Sequence, residues 1–339
     1  MTERDFRLDL LRALGTMLVI LAHMSLPSIL LNTRTFDVIL LVMVSYLTFR
    51  LTNSTNIPYL KYIWKRIKRL VIPTYIMLAV FFSLSEVISI IIQGTHAFEF
   101  KTVISSFLFL DSGIPYIWIV RIFVVIAFFA PLVSKLGANQ NIGINRYLLC
   151  LISLFSIIIV SGGGKILYDV CYVENSLWSS VLTSWGVYPL IYIAITQLIS
   201  TYLILNKRWQ IISCAVLCFV LVELLYYYGS FNPDDYKSPP QLFWVVYGML
   251  ISFLLYFCVP NTRFSILEFV SKNSLNIYLV HIIILMFYNK ALSIFNSSLV
   301  VSRYLSFWLI KYIIILGASC LFVYLWETNK SKIKLIKRQ

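Results

Sequence analysis

The sequence predicts an all-α fold: a polytopic integral membrane helix bundle of about ten transmembrane helices, with both N- and C-termini cytoplasmic. Three observations carry that expectation. The 339-residue chain is 60% hydrophobic and only 12% charged, whereas a soluble domain carries about 25% charged residues and has no interior for so much apolar surface. Its apolar residues fall in runs of bilayer length separated by short polar loops. Its cations alternate between crowded loops and sparse ones.

The runs lie at 10–31, 37–52, 70–93, 115–136, 146–163, 184–205, 209–229, 240–260, 274–293 and 305–326. A further apolar piece at 103–110 is too brief to cross, and is expected to re-enter or to lie at the interface. The first run is too long for a cleavable signal peptide, and no small-x-small site precedes Pro27. With the N-terminus inside, 20 Lys and Arg residues collect in the inside segments, among them Arg4, Arg7 and Arg12, the stretch Lys61 to Arg69, and the tail. The outside segments hold six: Arg34, Lys101, Lys165, Lys237, Lys290 and Arg303. Such a split follows the positive-inside rule and supports the alternating assignment.

The same distribution accounts for the net charge of +14. In a soluble protein that charge would point to nucleic acid; here membrane lipids are the expected partner and nucleic acid is not. No gap between runs is long enough for a soluble core, so 1–339 reads as a single transmembrane domain with a basic cytoplasmic tail at 330–339. The six cysteines fall mostly in apolar runs and imply neither a disulfide framework nor a metal site. Trp178, Trp185 and Trp244 fall near run ends, as an interfacial aromatic belt would. No internal repeat of the kind that builds inverted-repeat transporters stands out.

Few residues inside the runs can do chemistry. His23 lies within the first run, eleven residues beyond Arg12; in one continuous helix the two share a face, separated by about 16 Å. Arg12 then sits at the surface and His23 near the midplane, where an ionisable group is a functional candidate by default. The competing reading is a histidine bonded to a neighbouring helix. His281 is also intramembrane, whereas His96 reads as a solvated loop residue. Arg66 and Arg69, three apart, share a helical face at a cytoplasmic helix end. Two guanidinium forks there suit a polyphosphate group, although a basic cluster also satisfies topology and attracts anionic lipids. Arg121, near the outer end of the fourth run, is read as snorkelling in preference to the alternative, a role with an acceptor substrate. Glu86 and Glu223 lie within runs, with no partner readable from sequence.

Several blocks in order resemble the acyltransferase-3 family of membrane acyltransferases. Asp9-Leu10-Leu11-Arg12 with His23 matches an Arg, ten residues, His pattern. Val44-Ser45-Tyr46-Leu47 is similar to a Ser-Gly-Tyr segment, without its glycine. Arg66-Ile67-Lys68-Arg69 followed by Pro73 matches an Arg-x-x-Arg motif. Pro115 to Pro131, with Trp118, resembles the block opening the fourth helix. Ser274 to His281, including Tyr278, is similar to a Ser-x-x-Ile-Tyr-Leu-x-His block. The stretch from about 140 to 270 matches nothing comparable.

The resemblance implies an enzyme that moves an acetyl group from cytoplasmic acetyl-CoA, as co-substrate, to a sugar hydroxyl of a surface polysaccharide or its lipid-linked glycan precursor. It implies His23 as the catalytic residue, either general base or acyl carrier, and Arg12, Arg66 and Arg69 as cofactor-binding, with no metal. Asp9, Ser45, Tyr278 and His281 are further candidates. A polysaccharide exporter or flippase, and succinyl rather than acetyl transfer, are the alternatives. The expected location is the cytoplasmic membrane of the cell.

Overall fold

A computed structural model describes residues 5–51, 57–138, 146–173, 176–294 and 304–336. Among the described residues the chain is all-helical, without strands. Among the described residues, eight segments are long and apolar enough to cross a membrane: Ser28–Leu51, Tyr59–Ile92, Trp118–Lys135, Leu151–Cys171, Leu177–Leu203, Lys207–Tyr228, Ser274–Ser293 and Trp308–Lys330. The two other expected runs form shorter helices, of 16 residues at Phe6–Leu21 and 17 at Leu242–Cys258. The described chain divides into two compact units. One comprises Met1–Pro27, Pro73–Phe98 and Asn261–Gln339; the other comprises Ser28–Ile72 and Glu99–Pro260.

In the first unit, α1 (Phe6–Leu21) begins at Asp5, whose carboxylate accepts the Arg7 N–H, satisfying a donor that an open helix end leaves unpaired. The expected single helix over 10–31 does not form. The Ala22 N–H still bonds the Leu18 carbonyl, but His23 and Met24 bond Ile20 and Leu21, three residues back. Ser25 then takes a left-handed φ of 57°, and Pro27, which has no N–H and excludes helical geometry at the residue before it, ends the turn. His23 therefore lies in the tightened turn after the helix, not in its middle. The other elements of this unit are α12 (Ser265–Lys272), α13 (Ser274–Ile294) and α14 (Trp308–Ile336), numbered in chain order. Each contacts α1, and α13 pairs with α14. Leu8, Leu11, Val19 and Ile20 of α1 are buried.

In the second unit, α2 (Ser28–Arg34) and α3 (Asp37–Leu51) follow the turn, and α4 (Tyr59–Gln93) begins here. Next come α5 (Phe100–Phe107), α6 (Trp118–Ala138) and α7 (Arg146–Cys171). Then α8 (Leu177–Val181) runs through a π-helical turn at Leu182–Val187 into α9 (Tyr188–Ile204). The last two are α10 (Lys207–Tyr228) and α11 (Leu242–Cys258). The core forms where α3, α6, α9 and α11 meet. Helix α3 is apolar on nearly every side, from Val38 to Phe49, and is correspondingly buried. Tyr46 donates its hydroxyl to Ser200 at 2.6 Å, tying α3 to α9. Gly248 allows close approach of α11, because a Cβ there would lie 2.3 Å from Ile39 Cδ1. By contrast α7 and α10 are only 17% and 11% buried over their apolar stretches, as lipid-facing helices are.

The basic segment expected to precede the third run is itself helical. α4 is 35 residues long, about 52 Å at 1.5 Å per residue, against about 30 Å of bilayer hydrocarbon. Its surplus at the start carries Lys61 to Arg69. Pro73 interrupts the helical hydrogen bonds of α4, and the division between units falls there.

Candidate active site

The first unit brings together two histidines 258 positions apart in sequence. The rings of His23 and His281 stack with centroids 5.5 Å apart and planes 15° from parallel. His281, on α13, is fully buried; His23 is half-buried. The Tyr278 ring lies 4.8 Å from that of His281, and the Tyr278 carbonyl accepts the His281 Nδ1–H. A carbonyl can only accept, so this bond places the proton on Nδ1 and leaves Nε2 as the basic nitrogen of His281. The spacing Tyr-Leu-Val-His produces it, since residues i and i+3 share a helical face.

At the start of α1, Asp9, Arg12 and Ser271 form a second cluster. Ser271 donates to Asp9 Oδ1 at 2.7 Å, Arg12 Nη1 donates to Ser271 Oγ at 3.3 Å, and Arg12 and Asp9 lie 3.9 Å apart. Arg12 keeps 24% of its side chain exposed. Close by in sequence, Glu268 accepts from Lys272 at 2.6 Å and from Arg263 at 2.8 Å. Those two bonds, Lys272 first, hold the Glu268 carboxyl down at about 2. Asp9 and Arg12 thus act within the helix contact as well as presenting charge. Glu86 pairs with His96 and with the Ala97 N–H, so the loop histidine, though exposed, has a partner.

Arg66, Arg69 and Ser45 belong to the second unit. Arg66 is half-buried and donates from Nε to the Tyr62 hydroxyl at 3.2 Å, with its guanidinium 5.6 Å from that ring; Arg69 is exposed. Lys68 lies 4.9 Å over Trp64. Ser45 is half-buried on α3.

Two residues behave otherwise than expected in this unit. Trp244 is fully buried, donating to the Thr35 carbonyl at 3.0 Å, so it belongs to the core and not to an interfacial belt. Arg121 does not snorkel. It is 3% exposed, bonding Asp111 at 2.8 Å and the Phe109 carbonyl at 2.9 Å, and its guanidinium sits 5.3 Å from the Tyr188 ring. The π-helical turn supports this pair: Ser184 donates to Asp111 Oδ2 at 2.8 Å, and Trp185 donates to the Leu108 carbonyl at 3.0 Å. Arg121 and Asp111 line a cavity of about 260 Å³ together with Trp118, Tyr188, Tyr192 and Lys237. The usable sequence signal was Asp111 itself, an acid in the loop just ahead of an intramembrane arginine.

Among the described residues, an all-helical chain with this many apolar segments of membrane-crossing length defines a multi-pass membrane protein. A family model for an acyltransferase domain, Acyl_transf_3, matches residues 5–326, nearly the whole chain. The protein belongs to the acyltransferase-3 family and is a membrane acyltransferase. No curated protein and no solved structure matches it.

Proposed function

We propose that the protein is an O-acetyltransferase of the cytoplasmic membrane, moving an acetyl group from cytoplasmic acetyl-CoA to a sugar hydroxyl of a surface polysaccharide or its lipid-linked precursor. The observation that carries this reading is the His23–His281 pair in a chain of this family. His23 is the more accessible ring and takes the hydroxyl proton as the acceptor oxygen attacks the thioester carbonyl. The ester C–O bond forms, the C–S bond breaks, and the proton passes on to the departing thiolate. His281 packs against His23 and fixes its plane. Arg66 and Arg69 suit bidentate recognition of the CoA phosphates, and Arg12 offers the exposed edge of its guanidinium in its own unit.

Membranes containing the protein, supplied with labelled acetyl-CoA and a glycan acceptor, test the proposal. The wild type is expected to label the glycan, and His23→Ala to insert normally and give no label above background. Normal labelling by His23→Ala would remove that residue from the chemistry; glycan translocation without label would favour an exporter.

A further inference from the structure

The basic segment at the start of α4 carries its charges on two different faces. At about 3.6 residues per turn, Lys61, Lys65, Lys68 and Ile72 fall within about 60° of arc, whereas Arg66 lies about 140° round from Lys61. The first four side chains are exposed. The other face packs inward. Tyr62 is buried, its ring centroid 4.9 Å from that of Phe49 on α3, and its hydroxyl accepts the Arg66 Nε–H at 3.2 Å. One turn earlier the Tyr59 hydroxyl donates to the Phe128 carbonyl at 3.1 Å, inside the apolar stretch Trp118–Lys135 of α6. The two tyrosines thus hold the start of α4 beside membrane-crossing stretches of α3 and α6, and the lysine face stands at membrane depth instead of projecting into water.

The charge of that face is unmatched within the protein. From Val38 to Ser85 the chain contains no Asp or Glu, and among the described residues no ion pair reaches Lys61, Lys65 or Lys68. By contrast Arg34, Arg121, Lys165 and Lys237 of the same unit each face a carboxylate. The surroundings of the three lysines are amphipathic. Leu60, Trp64 and Ile72 are exposed beside them, and the Lys68 ammonium lies 4.9 Å over the Trp64 ring. An indole favours the boundary between headgroups and hydrocarbon, and lysine stems beside it can lie on apolar surface while their ammonium groups reach the polar layer. A phospholipid offers both parts that this face lacks, an anionic phosphate for the lysines and acyl chains for Ile72 and Trp64; a water-soluble phosphate offers only the first.

We propose that Lys61, Lys65 and Lys68 form a binding face for the headgroups of anionic phospholipids, with the acyl chains against Trp64 and Ile72 and with Arg66 turned away. The basic segment then divides its labour by face, and the lipid face depends on neither the acyl donor nor the acceptor of the enzyme.

The test is lipid binding by the purified full-length protein in a neutral detergent, read by native mass spectrometry. Phosphatidylglycerol and phosphatidylcholine with the same acyl chains are the probes. The wild type is expected to bind phosphatidylglycerol at least about tenfold more tightly, with a preference that falls as salt is raised. Combined Lys61→Gln, Lys65→Gln and Lys68→Gln should remove that preference, and Arg at the same three positions should keep it. A control with the same loss of charge elsewhere, Lys101→Gln, Lys165→Gln and Lys290→Gln, should also keep it. Equal binding of the two lipids by the wild type, a preference that survives in the first triple variant, or its loss in the Arg or control variant would overturn the proposal. Acetyl-CoA affinity separates the other source of phosphate: it is expected to be unchanged in the first triple variant. Its loss there, with the lipid preference intact, would assign the lysines to a soluble phosphate instead.

Discussion

Burial places the three histidines in three chemical situations. His96 is exposed beside Glu86, His23 is half-buried in a turn, and His281 is fully buried with its Nδ1 proton held by a carbonyl. The sequence shows that His23 and His281 sit in apolar runs; their stacking depends on a fold that closes 258 residues of chain, and no local pattern encodes it. Asp9 and Arg12 were legible as a motif but not as partners of Ser271. Glu268 gives the clearest pH dependence. Its carboxyl is held at about 2 in the folded protein, against about 4.3 when unfolded, so its contribution to stability is complete above the higher value and fades as pH falls towards the lower. The melting temperature of the detergent-solubilised protein is therefore expected to fall below about pH 4.3, and Glu268→Gln to remove part of that fall. Identical pH profiles would exclude Glu268 as the cause.

Element boundaries were readable where apolar length alone decides them and lost where one residue's backbone does. The run 10–31 breaks because Ser25 turns left-handed and Pro27 follows, which hydropathy does not register. α4 starts at Tyr59 because Lys and Arg are good helix formers, although their charge reads as loop. Between α5 and α6 the chain turns tightly enough that a Cβ on Gly113 would lie 2.7 Å from the Ser106 Cα and N. The Ser106 hydroxyl there accepts the Ile114 N–H at 2.9 Å. Gly113→Ala must displace backbone, and is expected to cost about 1–3 kcal/mol, seen as a lower melting temperature. Gly162→Ala in α7, where a Cβ would meet nothing within 4 Å, should show no such loss. Equal melting of the two variants would contradict the close approach.

At the scale of the whole molecule, composition announced a helical membrane protein without ambiguity, and the crossings were mostly legible because bilayer thickness sets their length. The core residues were less so: Trp244 and Arg121 are buried by neighbours from distant segments, and composition cannot separate such burial from an interfacial position. The charge pattern supports both ends in the cytoplasm. An epitope tag at either terminus is therefore expected to be shielded from antibody in intact right-side-out preparations and reached only after permeabilisation. Exposure of just one end would require an odd number of crossings.

The division of the chain also bears on how the protein is made. The first unit is assembled from the beginning, a middle piece and the end of the chain, and His281 follows His23 by 258 residues. At ribosomal speeds of about 5–20 residues per second, the histidine at the end of α1 waits on the order of 13–50 s for its partner to be synthesised. During that interval α1 lacks its contacts with α12, α13 and α14, and Asp9 waits equally for Ser271. An incomplete chain released from the ribosome before α13 therefore lacks the stacked His23–His281 pair.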